Sequence, residues 1–375
     1  MSNPPPSDPD QQPELGGGQS QPSYQPPGGF PKPGPPPNRA PDPVAEPAPQ
    51  PPQQAPGPAR PTPRPAAGEE QVAHVPRVEM TGQGAAPSAG PDEPSTAKTS
   101  ADPAQSRVKR PLITPPALQR HGPARIISLC NQKGGVGKTT STINLGAALA
   151  EFGRRVLLVD FDPQGALSVG LGIQPHQLER TTYDLLMSRD VTIDDVLIKT
   201  GVPGMDLLHS NINLSAAEVQ LVNEVAREQT LARALAPVAD DYDFVLIDCQ
   251  PSLGLLTVNA LTASHGVIVP LECEYFSLRG VALLIDTIDK VRDRLNPRLR
   301  LEGILATMYD GRTTHGREVY SRVVEAFGDD VYDTVISRTV RFPETTVAGQ
   351  PITTWAPSSS GAEAYRTLAM EVLAR

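Results

Sequence analysis

The stretch RIISLCNQKGGVGKTTSTINLGAALAEFG, residues 125–153, predicts the fold of this chain. It begins with a short β-rich apolar run, continues through a glycine-rich turn and ends in an Ala- and Leu-rich helical segment that stops at Gly153. A strand, such a turn and a helix together form an anion site. The turn exposes backbone N–H groups, and the helix N-terminus carries about half a positive charge. The stretch therefore predicts a phosphate-binding loop.

The residue types in the loop match the chemistry of a nucleoside triphosphate. The glycines allow the backbone to wrap closely around an anion. We expect Lys138 to contact the β- and γ-phosphates and the Thr139 hydroxyl to bind Mg²⁺. The predicted nucleotide-binding residues are Lys133, Gly134, Gly135, Val136, Gly137, Lys138, Thr139 and Thr140.

The loop departs from the usual pattern G-x-x-x-x-G-K-[ST]. Gln132 stands where the first glycine is expected, and Lys133 adds a second cation just before the glycines. A plain turn between a strand and a helix would need neither two lysines nor two threonines at this spacing. The pattern therefore favours a phosphate site with an additional lysine.

Two acidic residues end predicted strands in the order that such a site requires. Asp162 lies in FDPQG (161–165), and Asp248 closes YDFVLID (242–248). Ligands of open α/β sheets bind at the carboxyl ends of the strands. An aspartate at that position is also a common cap for the following helix. Combined with the loop, the pattern favours both aspartates as residues of the site, with Asp248 as a Walker B acid near the Mg²⁺.

Apolar strands alternate with helical periods along the rest of the chain, which predicts a mainly parallel, twisted sheet with helices on both faces. The fold class is α/β, with a single P-loop domain at 125–375. Predicted helices include 141–153, 277–295 and 361–375. After 125–130 and 154–160, the predicted strands are 205–210, 242–248, 265–271, 301–308 and 330–336.

Residues 1–124 are predicted to be a disordered tail. Of the 43 prolines, 32 fall within the first 120 residues, where apolar side chains are few. Such a segment cannot bury enough apolar surface to offset the entropy of ordering it. Its proline-rich runs favour polyproline II, which suits docking of a polar or cytoskeletal protein. A purely solvating tail fits the composition equally well.

Charge limits how the domain would bind nucleic acid. Residues 121–375 hold 23 Lys and Arg against 31 Asp and Glu, so the domain is not a generally basic nucleic-acid binder. Any DNA contact must come from a local patch or from dimerisation. The sequence has neither a secretory signal pattern nor an apolar run of membrane-spanning length. Cys130, Cys249 and Cys273 are expected to be reduced, buried thiols of a cytoplasmic protein.

The motifs resemble the deviant-Walker ATPases of the ParA/Soj chromosome-partition family. The matching segments are KGGVGKTT (133–140), DFDPQG (160–165), IDCQPSLGLLTVNAL (247–261), CEYFSLRG (273–280), GRTTHG (311–316) and SRTVRFPE (337–344). The resemblance covers about 125–375 and none of the tail. Ala166 and Gln250 replace an Asn and a Pro of the family pattern, at positions that supply no group to the chemistry.

The resemblance implies an ATP-dependent homodimer in which Lys133 contacts the partner subunit's ATP. Asp162 would position the attacking water, and Arg312, Arg341 and Arg338 would bind double-stranded DNA without sequence preference. A ParB/Spo0J-type centromere-binding protein would stimulate hydrolysis. The protein would then be cytoplasmic and associated with the nucleoid, with chromosomal or plasmid DNA as cargo.

Three other functions remain open from the sequence. A MinD-like membrane ATPase needs a basic amphipathic C-terminal helix, whereas GAEAYRTLAMEVLAR (361–375) has two arginines offset by two glutamates and is expected to pack on the domain. A reductase like the nitrogenase iron protein needs two cysteines per subunit for a cluster, and no suitable pair is apparent. A scaffold acting through its tail would not need the intact lysines and aspartates.

Overall fold

The computed structural model describes residues 102–107, 109, 111–116, 118–274 and 277–375, without the side chains of 277–279. The predicted tail up to residue 101, including its proline-rich runs, lies outside the described residues. Everything below concerns the described part of the chain.

One sheet organises the domain. Its order is β3-β4-β2-β5-β1-β6-β7, and every neighbouring pair is parallel except β3 and β4. This confirms the mainly parallel sheet. The strands are β1 (Arg125–Leu129), β2 (Val156–Phe161), β3 (Leu197–Lys199), β4 (Met205–Leu208), β5 (Phe244–Cys249), β6 (Gly266–Glu272) and β7 (Arg300–Thr307).

Helices cover both faces of this sheet. Alternate residues of β2 belong to two separate apolar cores, Leu157 and Val159 to one and Val156 and Leu158 to the other. The α-helices are α1 (Pro103–Ser106), α2 (Lys138–Glu151), α3 (Ala166–Gly170), α4 (Thr182–Met187), α5 (Leu214–Gln220), α6 (Thr230–Leu235), α7 (Leu255–Ala263), α8 (Ser277–Arg294), α9 (Thr314–Phe327), α10 (Arg341–Ala348), α11 (Ile352–Trp355) and α12 (Ser360–Ala374).

The C-terminal helix α12 packs on the domain, as its balanced charge predicts. Tyr365, Leu368 and Val372 are buried in the core that also contains α2. Arg366 forms an ion pair with Glu151 at the end of α2. None of the described helices is both long and apolar enough to cross a lipid bilayer.

The sheet differs from the sequence prediction at its two edges. The apolar pattern predicts a strand at 330–336, and that prediction is wrong. In the described structure this segment forms no strand and joins β7 and the residues after it through isolated bridges, Ile304 to Val331 and Tyr309 to Ser337, and a hydrogen bond from the Ile336 amide to the Ala306 carbonyl. At the other edge, the three-residue strand β3 is too short to leave an alternating pattern in the sequence.

Candidate nucleotide-binding site

The glycine-rich loop between β1 and α2 has the backbone conformation that phosphate binding requires. Gly135 and Gly137 have φ angles of 76° and 85°, a region that side-chain-bearing residues rarely adopt. Gly137 is the N-cap of α2, so the loop opens directly onto the N-terminus of a 14-residue helix. An anion in this loop would contact both exposed backbone N–H groups and the positive end of the helix dipole.

Lys138 lies at the first position of α2 and folds back over the loop. Its Nζ donates a hydrogen bond to the Lys133 carbonyl oxygen at 3.1 Å, and the residue is almost fully buried. A buried ammonium group needs an anionic partner. Its position in the loop suits a phosphate group.

Thr139 and Asp248 meet across the site. The Thr139 hydroxyl donates to Asp248 Oδ2 at 2.7 Å. The other carboxylate oxygen, Oδ1, is buried without a hydrogen-bond partner in the described structure. A buried, unsatisfied carboxylate oxygen beside a hydroxyl is a suitable place for a hard cation. The described residues contain no group of three or more His, Cys, Asp or Glu that would hold a metal ion unaided. Such a cation would need phosphate and water ligands as well.

Asp160 is a site residue that the sequence prediction missed. It pairs in register with Asp248 on the neighbouring strand and is fully buried. Its Oδ2 accepts hydrogen bonds from the amide and hydroxyl of Ser168, at 2.9 and 2.6 Å. The signal is present in the sequence, since DFDPQG contains two acids and Asp160 is the one inside the strand.

Burial and mutual repulsion change the acidity of these carboxyl groups. Burial, and then the charge of Asp160, raise the pKa of Asp248 to about 8. Burial also raises the pKa of Asp160 to about 6, although its hydrogen bonds from Ser168 oppose the change. The site therefore concentrates negative charge that a cation would relieve.

Asp162 is less buried and lies just beyond the end of β2. Its amide donates to Asp160 Oδ1 at 3.3 Å, and its own Oδ1 accepts from the Gln164 amide at 2.9 Å. The structure thus brings Asp162 to the edge of the sheet where Asp160 and Asp248 lie. The second carboxylate oxygen of Asp162 takes no part in these local hydrogen bonds. That position suits contact with a water molecule or a phosphate group.

Lys133 lies in a cluster of charges on the β6 side of the loop. Its Nζ is 2.8 Å from Glu272 Oε2 and 2.6 Å from Glu274 Oε2. Burial by itself would lower the pKa of Lys133, but the two carboxylates raise it above its ordinary value. Arg338 lies on the other side of Glu272, with Nη2 3.2 Å from Oε1. One predicted DNA-binding arginine therefore belongs to the same cluster as Lys133.

The other two predicted DNA-binding arginines are exposed and paired locally. Arg312 Nε and Nη2 each donate to one oxygen of Asp310, both at 2.9 Å. Arg341 begins α10 and pairs with Glu344 at 3.1 Å. All three arginines are side chains that a phosphate group could approach, but each already has a carboxylate partner.

The cysteines are buried, as predicted. Cys130 follows β1, and its Sγ lies 2.9 Å from Sγ of Cys249 at the end of β5. Cys273 is also buried, and burial raises the pKa of its thiol to about 12. Both paired thiols are buried in one apolar core, so they are not placed to share a metal cluster at the surface.

The loop, the strand-end aspartates and the parallel sheet define the class of the protein, a P-loop nucleoside triphosphatase. The family model described as "AAA domain" matches residues 124–301. The sporulation initiation inhibitor protein Soj of Bacillus subtilis is 49% identical over 250 residues, which are 67% of this chain and 98% of Soj. The chromosome partitioning protein ParA of Caulobacter vibrioides is 47% identical over 68% of this chain and 95% of its own length. The chain belongs to the ParA/Soj family of chromosome-partitioning ATPases.

Two further comparisons extend this result. An uncharacterized protein of Mycobacterium tuberculosis is 68% identical over 269 residues, 72% of this chain and 85% of that protein. This span is longer than residues 125–375, so the similarity includes part of the segment before β1. A crystal structure of a cobyrinic acid a,c-diamide synthase from Mycobacterium smegmatis, with bound ADP and magnesium, is 45% identical with a TM-score of 0.59. The match covers 66% of this chain and 92% of that one.

Proposed function

We propose that this protein is a Mg²⁺-dependent ATPase that forms an ATP-bound homodimer, binds DNA and moves or positions a chromosomal or plasmid locus. One observation carries the proposal: Thr139 and the orphaned oxygen of Asp248 lie at the edge of a loop that already holds two lysines. This arrangement suits a triphosphate with its cation. The ADP and magnesium bound to the similar Mycobacterium smegmatis protein support the same assignment.

Each residue of the site has its own role in binding ATP, Mg²⁺ or the attacking water. The loop from Lys133 to Thr140 wraps around the phosphates, and Lys138 neutralises charge on the β- and γ-phosphates. Mg²⁺, held by Thr139 and Asp248, supplies further charge neutralisation when it is bound. Asp162 orients the water that attacks the γ-phosphate, because one of its carboxylate oxygens lies outside the local hydrogen bonds while the free oxygen of Asp248 is assigned to Mg²⁺.

Lys133 couples ATP binding to dimerisation. In this structure Lys133 is paired with Glu272 and Glu274 on its own subunit. In the dimer it would leave these carboxylates and contact the partner subunit's ATP, where its charge stabilises the transition state as an arginine finger does. ATP then links the two subunits, and hydrolysis separates them.

Joining two subunits also explains how an acidic protein binds DNA. If two of the three arginines in each subunit bind a phosphate, the dimer makes about four phosphate contacts. The three arginines are Arg312, Arg338 and Arg341. Counterion release then gives a slope of about −3.6 for log K against log salt. A monomer would make half as many contacts, so ATP switches DNA affinity through avidity. A ParB/Spo0J-type partner, bound to a centromere-like site, would stimulate hydrolysis and release the cytoplasmic dimer from the nucleoid.

The experiment that tests the proposal measures retention of nonspecific duplex DNA with ATP, with ADP and without nucleotide, across a salt series. Retention with ATP alone and a slope between about −3 and −4 is the expected result. Equal retention in all three states, or none in any, would refute the DNA switch. Lys138→Ala should lose ATP binding, and Arg341→Glu should lose DNA retention while ATP binding remains.

A further inference from the structure

The described residues between 102 and 124 are attached to the ATPase domain, although the sequence predicts them as tail. We call this segment the strap. It runs along the β7 side of the domain and then to the start of β1. Its described polar attachments are Asp102 to Tyr309, Arg107 to Asp333 and the Gly328 carbonyl, Pro116 to Arg154, His121 and Gly122 to Asp243, and Ala124 to Ala239.

The first attachment lies beside a predicted DNA-binding arginine. Asp102 is the N-cap of α1, and its carboxylate accepts a hydrogen bond from the Tyr309 hydroxyl. The same carboxylate lies so close to Gly311 that a β-carbon at that position would clash with it. Asp102 therefore packs against the turn that begins at Tyr309 and leads to Arg312.

Tyr309 connects this turn to the segment that carries Arg338. Its amide donates to the Ile336 carbonyl at 3.1 Å, and its carbonyl accepts from the Arg338 amide at 3.2 Å. Its side chain is buried, and its ring packs against Tyr320 of α9 with 5.3 Å between the centroids. Any movement of Tyr309 would shift the backbone of both Arg312 and Arg338.

We infer that the contact between Asp102 and Tyr309 is a latch through which the strap positions Arg312 and Arg338 for DNA phosphates. The inference rests on the DNA contacts of the proposed function and adds the strap to that interface. Asp102 and Tyr309 act as positioning residues, since neither touches DNA. Neither side chain hydrogen-bonds to a residue of the phosphate loop in the described part of the chain, so the latch should affect DNA retention much more than ATP hydrolysis.

The test uses the full chain with Tyr309→Phe and Asp102→Ala. Tyr309→Phe removes the hydroxyl and keeps the ring packing. We expect each variant to retain DNA with ATP about threefold to tenfold more weakly, with much smaller changes in ATP affinity and DNA-free hydrolysis. If Arg312 no longer reaches its phosphate, the slope of log K against log salt should become less negative by about 0.9 for each phosphate left without a cationic partner. The double variant should retain DNA no more weakly than Asp102→Ala alone, because Tyr309→Phe breaks a hydrogen bond that Asp102→Ala has already removed.

Two controls separate the latch from general stability. Tyr183→Phe removes a hydroxyl that hydrogen-bonds Gln220 elsewhere on the domain and should leave DNA retention unchanged. Asp102→Asn keeps both a helix cap and an acceptor for Tyr309, so this variant should keep most of the DNA retention of the parent protein. Parent-like retention and slope in Asp102→Ala would overturn the latch, as would a loss of retention explained fully by a lower melting temperature.

The Arg341→Glu variant distinguishes failure of the latch from failure of the proposed function. If Arg341→Glu loses DNA retention and Tyr309→Phe does not, the latch is wrong and the DNA-binding function stands. If the parent protein retains no DNA with ATP, both are overturned.

Discussion

Lys133 and Arg338 share one carboxylate, Glu272. Lys133 Nζ lies 2.8 Å from one oxygen of Glu272, and Arg338 Nη2 lies 3.2 Å from the other. The lysine predicted to cross to the partner's ATP is therefore held on its own subunit by a group that also holds a predicted DNA-binding arginine. In the proposed dimer, Lys133 would have to leave Glu272 in order to contact the partner's ATP.

Glu272→Gln should make dimerisation easier. Removing the charge weakens the hold on Lys133, and a partly exposed ion pair is worth about 0.5–1 kcal/mol. We expect the ATP concentration for half-maximal dimerisation to fall about threefold. Light scattering after gel filtration, in an Asp162→Ala background that slows hydrolysis, measures this concentration.

Glu344→Gln is the matched control for this experiment. It removes a carboxylate from Arg341 and leaves the contacts of Lys133 intact. If Glu272→Gln needs more ATP than the parent protein, the carboxylate assists the dimer and does not restrain the lysine.

Asp310→Asn should strengthen DNA binding in the ATP state. Asp310 holds the Arg312 guanidinium through both of its oxygens, and this pairing lowers the pKa of Asp310 to about 2. Asparagine keeps an acceptor for the turn but removes the charge that competes with a phosphate. We expect DNA affinity to rise about threefold at low salt, and less at high salt because the effect is electrostatic.

Fluorescence anisotropy of a labelled duplex measures the change in DNA affinity. Asp286→Asn removes an exposed carboxylate from its pair with Lys290 on α8, away from the predicted DNA-binding arginines, and should have no effect. Weaker DNA binding by Asp310→Asn would mean that the pair with Arg312 builds the interface and does not mask it.

The sequence predicts the centre of this fold better than its periphery. The loop, Asp162 and Asp248 are separated by long stretches of chain, yet each follows a strongly apolar strand, and parallel strands bring their carboxyl ends to one edge. These residues could therefore be grouped without a structure. Thr307, whose hydroxyl bonds to the Val136 carbonyl of the loop, could not be grouped with them, because a threonine at the end of a strand has no distinctive pattern.

The attachment of the strap to the domain, in contrast, could not be predicted from the sequence. Its attachments are single side chains and carbonyl groups spread over 23 residues, among prolines and without apolar periodicity. Asp102 and Tyr309 are 207 positions apart in the sequence, so neither residue predicts the other. Composition separates a tail from a domain, but it does not reveal where an extended segment lies along a surface.

Thr307→Val should weaken ATP binding although Thr307 lies outside the loop. Its hydroxyl donates to the Val136 carbonyl oxygen at 2.8 Å, and the residue is buried at the end of β7. Valine has the same shape and leaves that carbonyl oxygen without this donor, which costs about 1–3 kcal/mol. Titration with a fluorescent nucleotide should show at least about a fivefold higher Kd.

The control for this substitution is Thr345→Val, which removes a buried hydroxyl that bonds to the Phe342 carbonyl within its own helix. Nucleotide affinity equal to that of the parent protein in Thr307→Val would show that the loop keeps its conformation without β7.

Asp243→Asn should destabilise the domain at neutral pH and much less in acid. The Asp243 carboxylate accepts from the Arg155 amide at 2.7 Å and the Gly122 amide at 3.0 Å, and it contacts His121. Burial alone would raise its pKa, but these three hydrogen bonds lower it. The native state therefore prefers the ionised form of Asp243. Its stabilising effect is present above the unfolded pKa of about 4 and is lost as the pH falls through the native pKa.

We expect Asp243→Asn to reduce the free energy of unfolding by about 1–3 kcal/mol at pH 7, with the difference shrinking below about pH 4. Urea unfolding at both pH values measures it, and Asp241→Asn, an exposed neighbour, is the control. A difference that stays the same in acid would mean that Asp243 stabilises the domain by shape and not by charge.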